Sequence, residues 1–188
     1  MKKLTNILLT TALLALPLAA QAITFQFNAN LNGANEVSPS GATGTGLATL
    51  FYNDNNSVLT TDDSFSLTLG AFDLSGIATG MHIHAPAPVG VSGPVVVNLA
   101  NSPFMVLNSG GTLLIGGNNV LPPSSSFLTQ LQAGLAYINI HTALNLGGEI
   151  RGQLIQVSVV PEPSTYTMLL AGLGLIGLMV RNRAKTVA

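Results

Sequence analysis

All three histidines of the chain fall in two short segments, His82-Ile83-His84 and the Tyr137-Ile-Asn-Ile-His141 run. In a β-strand, residues i and i+2 project from one face, so the imidazoles of His82 and His84 can aim at a common point. His141 on a neighbouring strand would complete a three-nitrogen set. Zinc accepts such a set with its fourth position open, and copper tolerates it as well. A closed set needs ring nitrogens within about 4 Å of one another, because each Zn–N bond is about 2.0–2.1 Å. The same spacing also suits a purely structural role, in which strand histidines bond loop carbonyls or stand in water. No acid lies near them in sequence, and only Glu149 is placed to arrive through folding.

A second constellation is Gly148-Glu149-Ile150-Arg151-Gly152-Gln153. Alternation puts Glu149, Arg151 and Gln153 on one strand face, with Ile150 and Leu154 on the other. Two readings stay open for Glu149 and Arg151. One is an anion-binding fork, since guanidinium grips carboxylates bidentately; the other is an internal structural pair.

Little else could do chemistry. The absence of cysteine removes disulfides, thiolate metal sites and thiol nucleophiles together. There is no Gly-x-Ser-x-Gly elbow, P-loop or dinucleotide fingerprint. Asp54-Asn55-Asn56 and Asp62-Asp63 lack the remaining ligands of a calcium loop and read as solvated turns. An enzyme is not expected.

These residues need strands to hold them, and the chain supplies a period of two. Ile23, Phe25, Phe27 and Ala29 alternate with polar partners, as do Phe65, Leu67 and Leu69. Further strand-like runs are 45–52, 80–84, 95–99, 112–115, 135–142 and 148–157, separated by Gly, Pro, Asn and Ser clusters. Eight or so short strands indicate an all-β, antiparallel sandwich or barrel. One short helix is expected over Ser125–Gln132, with a serine to cap it and Gly134 to end it.

Charge is sparse and unevenly placed. Charged residues make up 7% of the 188 residues and mean hydropathy is +0.51. Between Ile23 and Val160, Arg151 is the one base against six acids, a net charge of −5. Such a body cannot neutralise a row of phosphates, so no nucleic acid is expected as partner. The other bases sit at the two ends.

Residues 1–22 read as a signal peptide. Lys2 and Lys3 precede an apolar stretch, and Ala20-Gln21-Ala22 is a small-x-small site for signal peptidase. At the other end, Pro161-Glu162-Pro163 lies in a linker over 158–165. An uncharged apolar segment over 166–180 follows, and then a basic tail over 181–188 with Arg181 and Arg183. Fifteen helical residues rise about 22 Å, which polar shoulders extend towards the ~30 Å of a bilayer core. The bases after it predict a transmembrane helix whose tail stays in the cytoplasm while the body is outside. This order resembles the PEP-CTERM sorting signal of exopolysaccharide-producing Gram-negative bacteria. The resemblance implies processing by an exosortase-type membrane protease, an inner-membrane-anchored precursor and delivery to the cell surface or extracellular matrix.

The body over 23–157 carries a resemblance of its own. Leu31-Asn-Gly-Ala-Asn-Glu-Val37, Gly44-Thr-Gly46, His82-Ile-His-Ala-Pro86, Gly93-Pro-Val-Val-Val97, Tyr137-Ile-Asn-Ile-His-Thr142 and Gly148-Glu-Ile-Arg-Gly-Gln-Leu154 occur in the order of the CHRD domain, first described in chordin. The resemblance implies a Greek-key-like β-sandwich, and the His-x-His is similar to that of copper/zinc superoxide dismutases. Those enzymes use more histidines, an Asp ligand and a disulfide, so dismutase activity is not expected. The expected function is a non-enzymatic structural, adhesive or binding role at the surface, with extracellular polysaccharide or surface proteins as partners. A zinc- or copper-binding module built on His82, His84 and His141 is the alternative.

Overall fold

The computed structural model describes residues 22–55, 62–160 and 168–177. The cleavage site at Ala20, the sorting residues Pro161, Glu162 and Pro163, and the bases Arg181 and Arg183 lie outside them; Ala22 lies at their edge. Residues 168–177 are helical, and their leucines are exposed. Among the described residues, no helix is long and apolar enough to cross a membrane.

The body is all-β and antiparallel. Its strands are β1 (Ile23–Asn32), β2 (Thr45–Asp54), β3 (Ser64–Phe72), β4 (Ala78–His84), β5 (Val95–Asn98), β6 (Met105–Ser109), β7 (Thr112–Val120), β8 (Tyr137–Thr142), β9 (Ile150–Gln153) and β10 (Ile155–Val160). They form one curled sheet in the order β5-β4-β8-β9-β1-β2-β3-β7-β6, with β10 also on β1. The sheet is sandwich-like because its inner face wraps a single core. That core draws Phe25, Phe27, Leu31, Leu50, Leu67 and Ile115 from one limb, and Met81, Ile83, Ile138, Ile140 and Ile150 from the other.

The two limbs meet on one edge of β1. Its first half pairs with β10, and its last residue, Asn32, pairs with Arg151 of β9. The run expected over 148–157 is therefore two strands. They part at Leu154, which is fully buried and donates its N–H to the Ala136 carbonyl at 2.9 Å.

Alternation decides which residues face the core. In β1 and β2 the buried positions are every second residue, as in Phe25, Phe27, Ala29 and Leu31. A short helix, α1 (Phe127–Gln132), closes one end by burying Phe127 and Leu131 completely. Phe127 packs at 5.6 Å from Phe65 and 6.4 Å from Tyr52, ring centre to ring centre. Burying one such side chain contributes roughly 1.5–3 kcal/mol. Gly134 ends the helix in a left-handed conformation, φ +67, its N–H reaching the Leu131 carbonyl at 3.0 Å. Ser126 stands at the N-cap, but its hydroxyl makes no capping bond to the backbone.

Strand β6 lies outside the eight expected runs. Met105 and Leu107 are exposed, so this edge strand shows no alternation to read. The signal was in its turn. Ser109 pairs with Thr112 across Gly110-Gly111, both at positive φ, the two-residue hairpin that Gly-Gly favours.

Candidate metal centre and its polar surroundings

Strand β8 is buried on both faces, because loops cover its outer side. Ile138, Ile140 and Thr142 point inward, while Tyr137, Asn139 and His141 point outward. Registration with β4 sets the neighbours: Gly80 opposite His141, His82 opposite Asn139, His84 opposite Tyr137. On the far side of β8, Arg151 lies opposite Asn139 and Gln153 opposite Tyr137. The outer face of β4, β8 and β9 thus gathers every histidine and the one base of the body.

The three histidines come together. One ring nitrogen from each of His82, His84 and His141 lies within 4.8 Å of the others. This is somewhat wider than a closed zinc set, so an ion would draw the rings inward. Gly80 makes the space, since a Cβ there would stand 3.1 Å from His82 Cε1 and 3.3 Å from His141 Cδ2.

Loop carbonyls orient two of the rings. His84 Nδ1–H donates to the Gly93 carbonyl at 2.8 Å, and His141 Nδ1–H donates to the Leu146 carbonyl at 2.9 Å. A carbonyl can only accept, so each Nδ1 holds the proton and each Nε2 carries the lone pair. The structural and metal-binding readings of these residues are therefore compatible: the carbonyl bond is the usual outer support of a ligating imidazole. His84 Nε2 and His82 Nδ1 are buried without a hydrogen-bond partner.

Electrostatics favours the neutral form of His82 and His84. Burial pushes the His82 imidazole below its ordinary value, and the neighbouring His141 and His84 add to this. Burial lowers His84 as well, against the pull of the Gly93 carbonyl and with help from His141 and Arg151. Neutral imidazole is the form that binds metal. Among the described residues no carboxylate joins the three nitrogens. Three imidazole nitrogens with an open position fit zinc or copper, not calcium.

Arg151 and Glu149 do not pair with each other. The Arg151 guanidinium lies 3.4 Å from the centre of the Tyr137 ring and donates to the Val91 carbonyl at 2.8 Å. From β4, His84 stacks on the same ring at 4.6 Å with the planes nearly parallel. Tyr137 thus links the cation to the histidine cluster. Glu149 precedes the ladder of β9 and turns inward instead. Its carboxylate accepts from the Ser75 N–H at 2.6 Å, from the Ser75 and Thr142 hydroxyls, and from Asn145 at 3.2 Å. Gly148, at φ +135, breaks the alternation that would have put Glu149 beside Arg151. Gln153 keeps the outer face, donating to the Ala87 and Gly134 carbonyls.

The acid that feels Arg151 is Glu36, from the loop after β1. Burial pushes its carboxyl up to about 7, while the Arg151 charge and Asn139 pull it back. Glu36 and Asn139 were not singled out in the sequence. Asn139 had a signal, since it stands two residues before His141 on one strand face. Glu36 had none but its place in the Leu31–Val37 segment. Asp63, expected in a solvated turn, is buried and accepts from the Tyr52 hydroxyl at 3.0 Å.

The CHRD domain model matches residues 27–154, every strand that builds the cluster included. The chain belongs to the CHRD domain family. A PEP-CTERM protein-sorting motif matches residues 159–184, directly after the CHRD domain. The motif indicates export and surface localisation in Gram-negative bacteria, with processing by an exosortase-type membrane enzyme. No curated protein and no solved structure matches the chain.

Proposed function

We propose that this exported CHRD domain serves at the cell surface or in the extracellular matrix as a non-enzymatic metal-binding module, with His82, His84 and His141 holding zinc or copper. The observation that carries the reading is the convergence of three imidazoles, two of them oriented by loop carbonyls, around the gap left by Gly80. The bound ion would cross-link β4 to β8 and keep an open position for an outside donor, such as a group on a matrix partner. Before processing, the apolar segment over 166–180 holds the precursor in the inner membrane.

The test is metal analysis of the full chain, purified in mild detergent without a polyhistidine tag and exposed to zinc or copper. About one equivalent should be retained with a rise in melting temperature, and His82→Ala should lose both. A chain that takes up neither ion and shows no thermal shift would overturn the reading.

A second reading has its own observation. Met105, Leu107 and Leu114 are exposed together on β6 and β7, at the opposite end of the sheet from the histidines. An apolar edge of this kind suits an adhesive or structural role that needs no metal. Self-association that persists in chelator and is lost in Leu107→Lys favours it.

A further inference from the structure

Beside the histidine cluster, a cleft of about 470 Å³ opens between the Glu36–Ser40 loop, Ser92 and the loop at 144–148. Its volume is in the range of small-molecule sites. Asn139 forms part of its wall, between His82 on one side and Arg151 on the other.

Two acceptors in this wall are left without donors. Glu36 is 9% exposed and Asn139 is 5% exposed. Asn139 Nδ2 donates to Glu36 Oε2 at 3.5 Å, which uses one oxygen of the carboxylate. Glu36 Oε1 and Asn139 Oδ1 have no hydrogen-bond partner. Leaving a buried polar group unmade costs about 1–3 kcal/mol, so native proteins rarely keep two together without a reason. The backbone is shaped around them: a Cβ on Gly148 would stand 2.5 Å from Glu36 Oε1.

From this pair we infer that the cleft binds a neutral, hydroxyl-rich ligand, two adjacent hydroxyls of a saccharide donating to Glu36 Oε1 and Asn139 Oδ1. The orphan atoms are both acceptors, so the ligand must bring donors. An anion brings none and would face the carboxylate. A cation would enter beside Arg151, whose charge already acts on Glu36. A diol brings two donors without net charge, and the hydroxyls of Ser38 and Ser92 in the same lining suit its remaining oxygens. This site goes beyond the metal centre and does not depend on it.

The experiment is a titration of the isotope-labelled full chain, in detergent and EDTA, with methyl α-glucopyranoside, methyl α-mannopyranoside and N-acetylglucosamine. Methylammonium chloride and sodium sulfate serve as the cationic and anionic arms. Saturable shifts of the Asn139 side-chain amide and the Gly147 and Gly148 N–H signals, in the millimolar range with at least one sugar, are expected. Gly147 has open space around its Cβ position and lines the cleft. Gly147→Leu should fill the cleft and weaken binding at least tenfold with the melting temperature unchanged. Glu36→Gln should weaken it several-fold. Saturation by methylammonium or sulfate alone, no saturable shift with any sugar, or wild-type binding by Gly147→Leu would each overturn the proposal. In the second case a bridging water is what occupies the two acceptors. Sugar binding by a chain that takes up no metal would separate this site from the metal centre.

Discussion

Two buried glutamates, Glu36 and Glu149, stand at the two ends of one short polar seam and are treated in opposite ways. Glu149 is fully buried, yet its carboxyl is held below the ordinary range. Burial pushes it up, but donors from Ser75, Thr142 and Asn145 outweigh that. Glu36 is nearly as buried and has one long hydrogen bond, so burial wins and its carboxyl rises to about 7. Burial by itself thus says little about a carboxylate's role. The count of donors decides whether it is a structural anchor or a group in waiting.

The anchor should cost most to remove. Glu149 ties the turn after β3, through Ser75, to the end of β8, through Thr142, and both limbs of the sheet depend on that link. Glu149→Ala leaves several buried donors unmatched, and a loss of about 3–5 kcal/mol is expected. Urea unfolding of the full chain, followed by tryptophan-independent circular dichroism, measures it. A loss under 1 kcal/mol would mean the donors find other partners, and the contrast with Glu36 would fail.

The second expectation concerns pH, where the two acids have opposite signs. Glu36 has a folded value raised from 4.5 to about 7, so its contribution is complete below pH 4.5 and is lost as pH rises towards 7. The loss is on the order of 3 kcal/mol over that window, at 1.36 kcal/mol per pH unit. Glu149, with its value lowered, contributes above its unfolded value and loses that contribution as pH falls. His82 and His84, with values lowered from 6.5, likewise contribute above about pH 6.5 and lose that contribution as pH falls below it. Glu36 is therefore isolated by difference. The stability of the wild type minus that of Glu36→Gln should fall between pH 4.5 and 7, and a flat difference would show Glu36 already ionised.

Much of this seam was legible before folding, and the parts that were not share a cause. Period-two alternation in β1 and β3 identified an antiparallel sheet, and His82 and His84 at i, i+2 announced a shared face. The same rule failed at Glu149, because one glycine at positive φ ended the alternation just before β9. It was silent on β6, where both faces are exposed. Glu36 reaches Asn139, 103 residues away, from a loop, and no local period encodes such a contact. Strand faces are local information; loop closure over them is not.

The smallest effect tests whether the Glu149 anchor is additive. Asn145 donates to Glu149 at 3.2 Å from a half-exposed position, where water can replace it. Asn145→Ala leaves the Ser75 N–H and the hydroxyls of Ser75 and Thr142 in place. A single hydrogen bond of this kind contributes about 0.5–1.5 kcal/mol, so the urea midpoint should fall only slightly. Comparing it with Ser75→Ala and with the double variant measures their coupling. Independent donors give losses that add within about 0.5 kcal/mol; a double variant much worse than the sum means the donors act as one network. In that case the low carboxyl value of Glu149 belongs to the whole seam, and losing any one donor should move Glu149 towards the state of Glu36.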